Sequence, residues 1–140
     1  MKKYISTSLL AAIAGFAANM AIGFLFVFLI PSLNGEYENT TIFRPWEDPL
    51  MSLYFLHPFY VAFILAWIWT KVKTLVSGSI SKQAFVFTNM YFLVATFPGL
   101  MLSISSFKIS FAMTLSWAIG AYIQTYIMSI IFAKRLNQHS

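Results

Sequence analysis

One histidine lies inside a long apolar stretch of the sequence, where an ionisable side chain could do chemistry. His57 follows Pro49 by eight residues, so it would lie about 12 Å inside a helix that begins at that proline. An ionisable group at such a depth in a membrane is a functional candidate, as a proton carrier or as a general base. The simpler interpretation is a neutral imidazole bonded to a nearby carbonyl or hydroxyl, and the sequence leaves both open.

Prolines beside this histidine and on a later apolar stretch predict a cavity. Pro58 and Pro98 each lack the backbone N–H that a continuous helix needs, and both stand at a similar depth from the same side. Two interrupted helices in one half of the molecule indicate an opening between them. We expect polar side chains to line this cavity and charged ones to stand at its mouth: His57, Tyr54, Tyr60 and Thr96 inside, and Arg44, Glu47 and Asp48 at the mouth.

Metal binding and common catalytic chemistries are disfavoured by these residues. Asp48 and His57 are nine residues apart, or about 13 Å along a continuous helix, which is too far for them to share an ion. The sequence contains no Ser-His-acid arrangement, HExxH helix, phosphate loop or dinucleotide fingerprint. It also contains no cysteine, which excludes thiolate ligands and thiol redox chemistry. We expect no metal site, no cofactor and no catalytic residue.

The apolar composition predicts the elements that hold these residues. Hydrophobic residues make up 59% of the chain and charged ones 9%, whereas a soluble domain carries about 25% charged residues. Four stretches lack charged residues and reach the roughly 20 residues that a membrane helix needs. Irregular structure is excluded from lipid because its backbone groups would stay unpaired. The sequence predicts an all-α, integral membrane four-helix bundle, a single domain over 1–140, with helices at about 4–33, 49–70, 83–104 and 109–133 and an outer loop at 34–48.

The positions of the charged residues predict the orientation of these helices. Cytoplasmic loops of membrane proteins carry an excess of lysine and arginine. Arg44, Lys108 and all four acidic residues fall on one side of the predicted membrane. The other seven of the nine basic residues fall on the opposite side, near the termini and between the second and third helices: Lys2, Lys3, Lys71, Lys73, Lys82, Lys134 and Arg135. We therefore expect both termini to be cytoplasmic in a multi-pass protein of the cell membrane.

This charge distribution also bears on the partners. Basic residues along a membrane boundary are suited to anionic lipid head groups. Nucleic-acid binding would instead require basic residues gathered on one polar surface. We expect contact with membrane lipids and no contact with nucleic acid.

Amides within the apolar stretches are predicted to hold helices together, and a polar cavity along the same inward faces is the alternative. Asn19 falls near the middle of the first stretch, where an amide needs a hydrogen-bond partner, and Gln124 and Asn89 are the candidates. Small residues allow two helices to approach closely. Four small or amide residues recur every four positions and share one helix face: Ala11, Gly15, Asn19 and Gly23. The pattern favours a packing seam, with a thin-walled substrate path as the alternative.

Three functions are compatible with these features. The leading hypothesis is a non-enzymatic membrane protein that works as an accessory subunit or helical partner, by association with other membrane subunits or with itself. The second is a small oligomeric transporter or channel with an outward-opening polar cavity near His57. The third is a membrane enzyme that binds a lipid or quinone at the outer face, with His57 as general base and Arg44 or the acidic residues positioning the head group.

Overall fold

Helices account for nearly all of the computed structural model, which describes residues 1–137 and has no strand in that range. Six α-helices follow one another along the described residues. Short 3₁₀ turns extend the third at both ends, and a π-helical segment joins the fourth to the fifth. The bounds are α1 (Lys2–Leu29), α2 (Ser32–Tyr37), α3 (Ser52–Val72, with turns Pro49–Met51 and Lys73–Leu75), α4 (Ile80–Tyr91), the π segment Phe92–Thr96, α5 (Phe97–Ser106) and α6 (Phe111–Leu136).

Four of these helical segments within residues 1–137 are long and apolar enough to cross a membrane, which confirms the all-helical prediction at that level: Lys2–Leu29, Pro49–Leu75, Ile80–Ser106 and Phe111–Leu136. The first predicted helix was placed too far along the chain. Its N-terminal end is Lys2, and it stops at Leu29 because Pro31 starts the separate helix α2. That short helix occupies the beginning of the predicted loop at 34–48.

The four long segments pack in a row. α1 and α6 share the most extensive interface, α3 packs mainly on α1, and α4 packs mainly on α6. The order of neighbours is therefore α3, α1, α6 and α4–α5. Direct contact between the two outermost segments, α3 and α4–α5, is slight.

Both termini of the described chain lie at one end of the row, which is called the terminal end. At this end α3 and α4 are in contact. The ring of Trp69 packs edge-on against Phe87, with centroids 5.0 Å apart, and Phe132 of α6 lies beside it. Trp69 Nε1 donates a hydrogen bond to Asn137 Oδ1 at 3.1 Å, and Asn137 Nδ2 donates to Gln83 Oε1 at 2.7 Å. This cluster links three helices and brings the two outer segments, α3 and α4, into contact at the terminal end.

The opposite end, called here the loop end, carries the connection from 30 to 48 and the turn from 107 to 110. The connection folds over the start of α6 and is held there by two polar contacts. The Ser110 backbone N–H donates to Glu36 Oε1 at 2.5 Å, and Trp117 Nε1 donates to the Tyr37 hydroxyl at 2.9 Å. Phe43 packs edge-on against Trp117, so the connection covers the loop-end side of that indole.

The two intramembrane prolines have different effects on their helices. α3 continues as one α-helix through Pro58, so the prediction that this helix is interrupted was wrong. The third long segment is interrupted, by the π segment Phe92–Thr96 just before Pro98. There the Phe97 N–H bonds the Phe92 carbonyl five residues back, which widens the helical turn.

Candidate functional site

A cavity of about 310 Å³ lies between the two outermost helices of the row, with α6 as its floor. It lies on the loop-end side of the Trp69–Phe87 contact, where α3 and α4–α5 are not packed together. Residues from three helical segments line it: His57 and Val61 from α3; Tyr91, Ala95, Thr96, Gly99, Leu100 and Ser103 from the α4–α5 segment; and Trp117, Ala121, Gln124 and Thr125 from α6.

Helical periodicity explains why these side chains share one cavity. Positions separated by three, four and seven residues lie on the same helix face. The wall formed by the π segment and α5 follows this spacing from Thr96 through Gly99 to Ser103, and the α6 floor follows it from Trp117 to Gln124. A Cβ on Gly99 would meet no atom within 4 Å, so this position leaves space in the wall.

The predicted cavity residues are divided by the structure. His57 and Thr96 line the same cavity from opposite walls. Tyr54 does not, because its hydroxyl reaches Met20 Sδ on α1 at 3.4 Å and its ring packs edge-on against Phe16. Tyr60 points away from the cavity and is 69% exposed. Neither tyrosine therefore lines the cavity, because their positions around α3 direct the two side chains to other surfaces.

The charged residues predicted at the mouth serve the start of α3 instead. Arg44 Nη1 pairs with Asp48 Oδ2 at 2.8 Å, and Asp48 Oδ1 accepts the Leu50 N–H at 2.9 Å. The Leu50 hydrogen bond, with the Arg44 guanidinium beside it, holds the pKa of Asp48 below its ordinary value. Glu47 is exposed. Arg44, Glu47 and Asp48 are absent from the cavity lining, and helix initiation accounts for Asp48.

The predicted intramembrane amides fall into two separate contacts. Asn19 Nδ2 on α1 donates to Gln124 Oε1 on α6 at 2.9 Å, and Gln124 was one of its two candidate partners. Asn89 does not take part. Its Nδ2 donates to the Phe85 carbonyl of its own helix, and its Oδ1 accepts from the Tyr122 hydroxyl at 3.2 Å.

The small-residue face of α1 packs on α6 over part of its length. Ala11 and Gly15 are buried, and a Cβ on Gly15 would approach Met128 Cε to 2.8 Å. A Cβ on Gly23 would meet nothing within 4 Å. The packing seam therefore runs from Ala11 to Asn19, and the predicted extension to Gly23 is not in contact, because no atom of a neighbouring helix lies close to that position.

Several polar groups of the cavity have no partner in the described chain. Gln124 is only 5% exposed, and its Oε1 is occupied by Asn19, yet its Nε2 bonds no residue within 1–137. The side chains of His57, Tyr91 and Thr96 likewise form no hydrogen bond within that range. In an apolar environment such groups need a ligand or water.

Sequence reasoning missed part of this site. Tyr91 was not predicted, because a single tyrosine inside an apolar stretch carries no distinguishing pattern. Gln124 was predicted chiefly as a packing residue, with a polar cavity as the alternative. The signal for its second role was the helical spacing from Trp117 through Ala121 to Gln124, which marks one inward face.

The chemistry available here is binding by neutral groups. No Asp, Glu, Lys or Arg lines the cavity. Within residues 1–137 there is no group of three or more His, Cys, Asp or Glu side chains that could hold a metal ion. The site can donate and accept hydrogen bonds beside an apolar wall.

In comparisons with protein-family models, curated proteins and solved structures, none matched this chain.

Proposed function

We propose that this chain is a multi-pass protein of the cell membrane with both termini cytoplasmic, and that it works as a non-enzymatic helical partner in a membrane assembly. The basic residues near the terminal end support the orientation, because lysine and arginine are enriched in cytoplasmic segments. The proposed partners are membrane lipids and other membrane subunits or a second copy of the chain.

One observation carries the partner role. No residue from Phe92 to Ser106 is buried, although this stretch is half of a membrane-length helix. Its outer face is large and apolar: Val94 is 79% exposed and Leu102 is 68% exposed. In lipid, helices associate through close side-chain packing, and this half-helix receives little packing from its own chain. A neighbouring helix on the outer face would provide it.

Cross-linking from this face tests the proposal. The chain has no cysteine, so Val94→Cys and Met101→Cys would each be the only thiol available for a photoactivatable cross-linker in native membranes. Phe28→Cys on α1 is a matched control, because Phe28 is 80% exposed and Val94 is 79% exposed. We expect one discrete adduct in fixed ratio from positions 94 and 101 and only lipid adducts from position 28. Lipid adducts alone at all three positions would refute the partner role.

The proposed orientation has its own test. Ser77→Cys lies in the connection between α3 and α4 and Thr40→Cys lies in the loop-end connection, and both residues are exposed. A membrane-impermeant maleimide added to intact cells should label only Thr40→Cys. Labelling of Ser77→Cys from outside would reverse the orientation.

Transport remains a second candidate because of the polar cavity. It opens between helices in the loop-end half and is blocked at the terminal end by Trp69 and Phe87. A transporter would have to separate these two rings in each cycle. Flux of protons or ions in liposomes that is lost on His57→Ala would support this candidate over the helical partner.

A further inference from the structure

We propose that the cavity between α3 and α4–α5 binds a neutral, membrane-soluble amphiphile whose polar end carries a carbonyl group. This site is distinct from the partner surface of the preceding section. On the π segment and α5, Thr96 and Gly99 face the cavity, whereas Val94 and Met101 lie on nearly the opposite side of the helix. The two proposals can therefore fail independently.

The amide of Gln124 indicates a hydrogen-bond acceptor on the ligand. Its oxygen is occupied by Asn19 at 2.9 Å, which leaves the two N–H donors of Nε2 for the cavity. The residue is 95% buried, since its exposed fraction is 5%. A donor that deep stays costly unless an acceptor reaches it, and a carbonyl oxygen is an acceptor without charge.

The rest of the lining indicates that the ligand is neutral. His57, Tyr91 and Thr96 offer an imidazole and two hydroxyls, each able to donate or accept, and none is engaged within residues 1–137. No cationic or anionic side chain lines the cavity to compensate a charged head group. A charge there would have to leave water without a counter-charge, which is strongly unfavourable.

The size and access of the cavity indicate a membrane-soluble molecule. Its volume of about 310 Å³ is at the lower end of the roughly 300–1,000 Å³ typical of ligand pockets. A cavity of this volume accommodates the polar head group of an amphiphile and a short part of its hydrocarbon chain. Apolar side chains such as Val61 and Leu100 line the remainder. Because α3 and α4–α5 are not packed together here, a ligand can enter sideways from the bilayer.

Two sources supply this shared chemistry. An isoprenoid quinone carries ring carbonyls on a hydrocarbon tail, and a diacylglycerol carries ester carbonyls on two acyl chains. Both are neutral and dissolve in membranes. The test uses a short-chain analogue of each, decylubiquinone and dioctanoylglycerol, with phosphatidic acid as the charged comparison.

Trp117 provides a reporter because it lines the cavity. The full chain in nanodiscs would be titrated with decylubiquinone, which quenches indole fluorescence, and dioctanoylglycerol would be added as a competitor. We expect a saturable component of the quenching that is lost in Trp117→Phe, whereas the non-saturable quenching of the other three tryptophans remains. If dioctanoylglycerol does not reverse the saturable quenching, the ligand is of the quinone class. If dioctanoylglycerol reverses the quenching at a concentration lower than that of decylubiquinone, the ligand is of the diacylglycerol class. Phosphatidic acid should not compete.

Variants without a hydroxyl test the contacts. Tyr91→Phe and Thr96→Val each remove a group that bonds nothing within residues 1–137, so the unliganded protein should keep its thermal stability. Ligand affinity should fall roughly 3- to 10-fold for each, the usual effect of one hydrogen bond. Tyr60→Phe is the matched control outside the cavity and should bind as the native chain does.

Three results would overturn the proposal. The first is absence of saturable binding by either analogue, which would mean that water alone occupies the cavity. The second is unchanged affinity in both Tyr91→Phe and Thr96→Val. The third is equal competition by phosphatidic acid, which would show that the site does not select neutral head groups. None of these results depends on a partner at Val94 or Met101.

Discussion

The amide of Asn19 on α1 lies directly against Gly120 on α6, where a Cβ on residue 120 would overlap Asn19 Oδ1. The same amide donates its hydrogen bond to Gln124, four residues further along α6. Gly120 therefore allows α1 and α6 to approach closely enough for the amide pair to form. Because α1 and α6 form the centre of the row, this contact supports the whole arrangement.

Adding one methyl group at Gly120 should separate these two helices. We expect Gly120→Ala to lower the free energy of unfolding by about 1–3 kcal/mol, the usual range for overpacking. Asn19→Ala alone should lower it by roughly 0.6 kcal/mol, the average for hydrogen bonds between membrane helices. In the double variant most of the Gly120→Ala effect should vanish. Unfolding by SDS titration in micelles measures all three.

A glycine without neighbours provides the control for this prediction. Gly23→Ala adds the same methyl group where nothing lies within 4 Å. It should leave stability unchanged or raise it by up to about 1 kcal/mol through helix propensity. Equal losses in Gly120→Ala and Gly23→Ala would show that the close approach at Asn19 is not the cause.

The indole nitrogen of Trp69 should stabilise the terminal end. Trp69→Phe keeps an aromatic ring beside Phe87 but removes the 3.1 Å hydrogen bond to Asn137. We expect a loss of about 0.5–1.5 kcal/mol for the bond, with a further loss from the smaller ring. Trp67→Phe is the control, since Trp67 is 56% exposed and has no such bond. Equal stability of the two variants in SDS titration would contradict the prediction.

The hydroxyl of Tyr37 should hold Trp117 at the cavity wall. Tyr37→Phe removes the acceptor of the 2.9 Å bond and leaves the part-buried indole N–H without it. We expect a loss of about 1 kcal/mol and a red shift in the part of the emission that Trp117→Phe removes, because the indole gains access to water or lipid head groups. Tyr60→Phe should change neither property. An unaltered emission maximum in Tyr37→Phe would mean that the ring is fixed by Phe43 alone.

Acid should loosen the start of α3 only at low pH. The pKa of Asp48 lies below its ordinary value of 3.8 because the carboxylate accepts the Leu50 N–H and pairs with Arg44. A carboxyl with a lowered pKa stabilises the fold above its unfolded pKa, and this contribution is lost as pH falls through the folded pKa. Hydrogen exchange of the Leu50 amide should therefore be steady from pH 8 to 5 and become less protected only below about 3.8.

A neutral cap isolates this titration. Asp48→Asn keeps an oxygen that can cap the Leu50 N–H but has no acidic group, so protection of that amide should not fall at low pH. Asp48→Ala should expose the amide at every pH. If Asp48→Asn lost protection in acid as the native chain does, another group would be responsible.

Much of the local structure could be predicted from the sequence. Length and hydropathy identify the four membrane-length helices, since backbone groups in lipid must be bonded within each segment. Asp48 before Pro49 predicts the start of α3, because a carboxylate caps free N–H groups and proline loses nothing at that place. The pairing of Asn19 with Gln124 was among the predictions because buried amides are few and each needs a partner.

The arrangement of the helices around these contacts was decided by tertiary structure. The long helices are apolar on nearly every face, and lipid and neighbouring helices are equally good environments for an apolar side chain. Hydropathy therefore could not tell that Tyr54 and Tyr60 turn away from His57, or that Tyr91 turns toward it. The sequence by itself determined which long segments are helical and that α3 starts after Asp48, through backbone hydrogen bonding and capping. Only the packing of α3, α1, α6 and α4–α5 in a row decided which polar groups share a cavity, because that depends on the rotation of each helix against its neighbour.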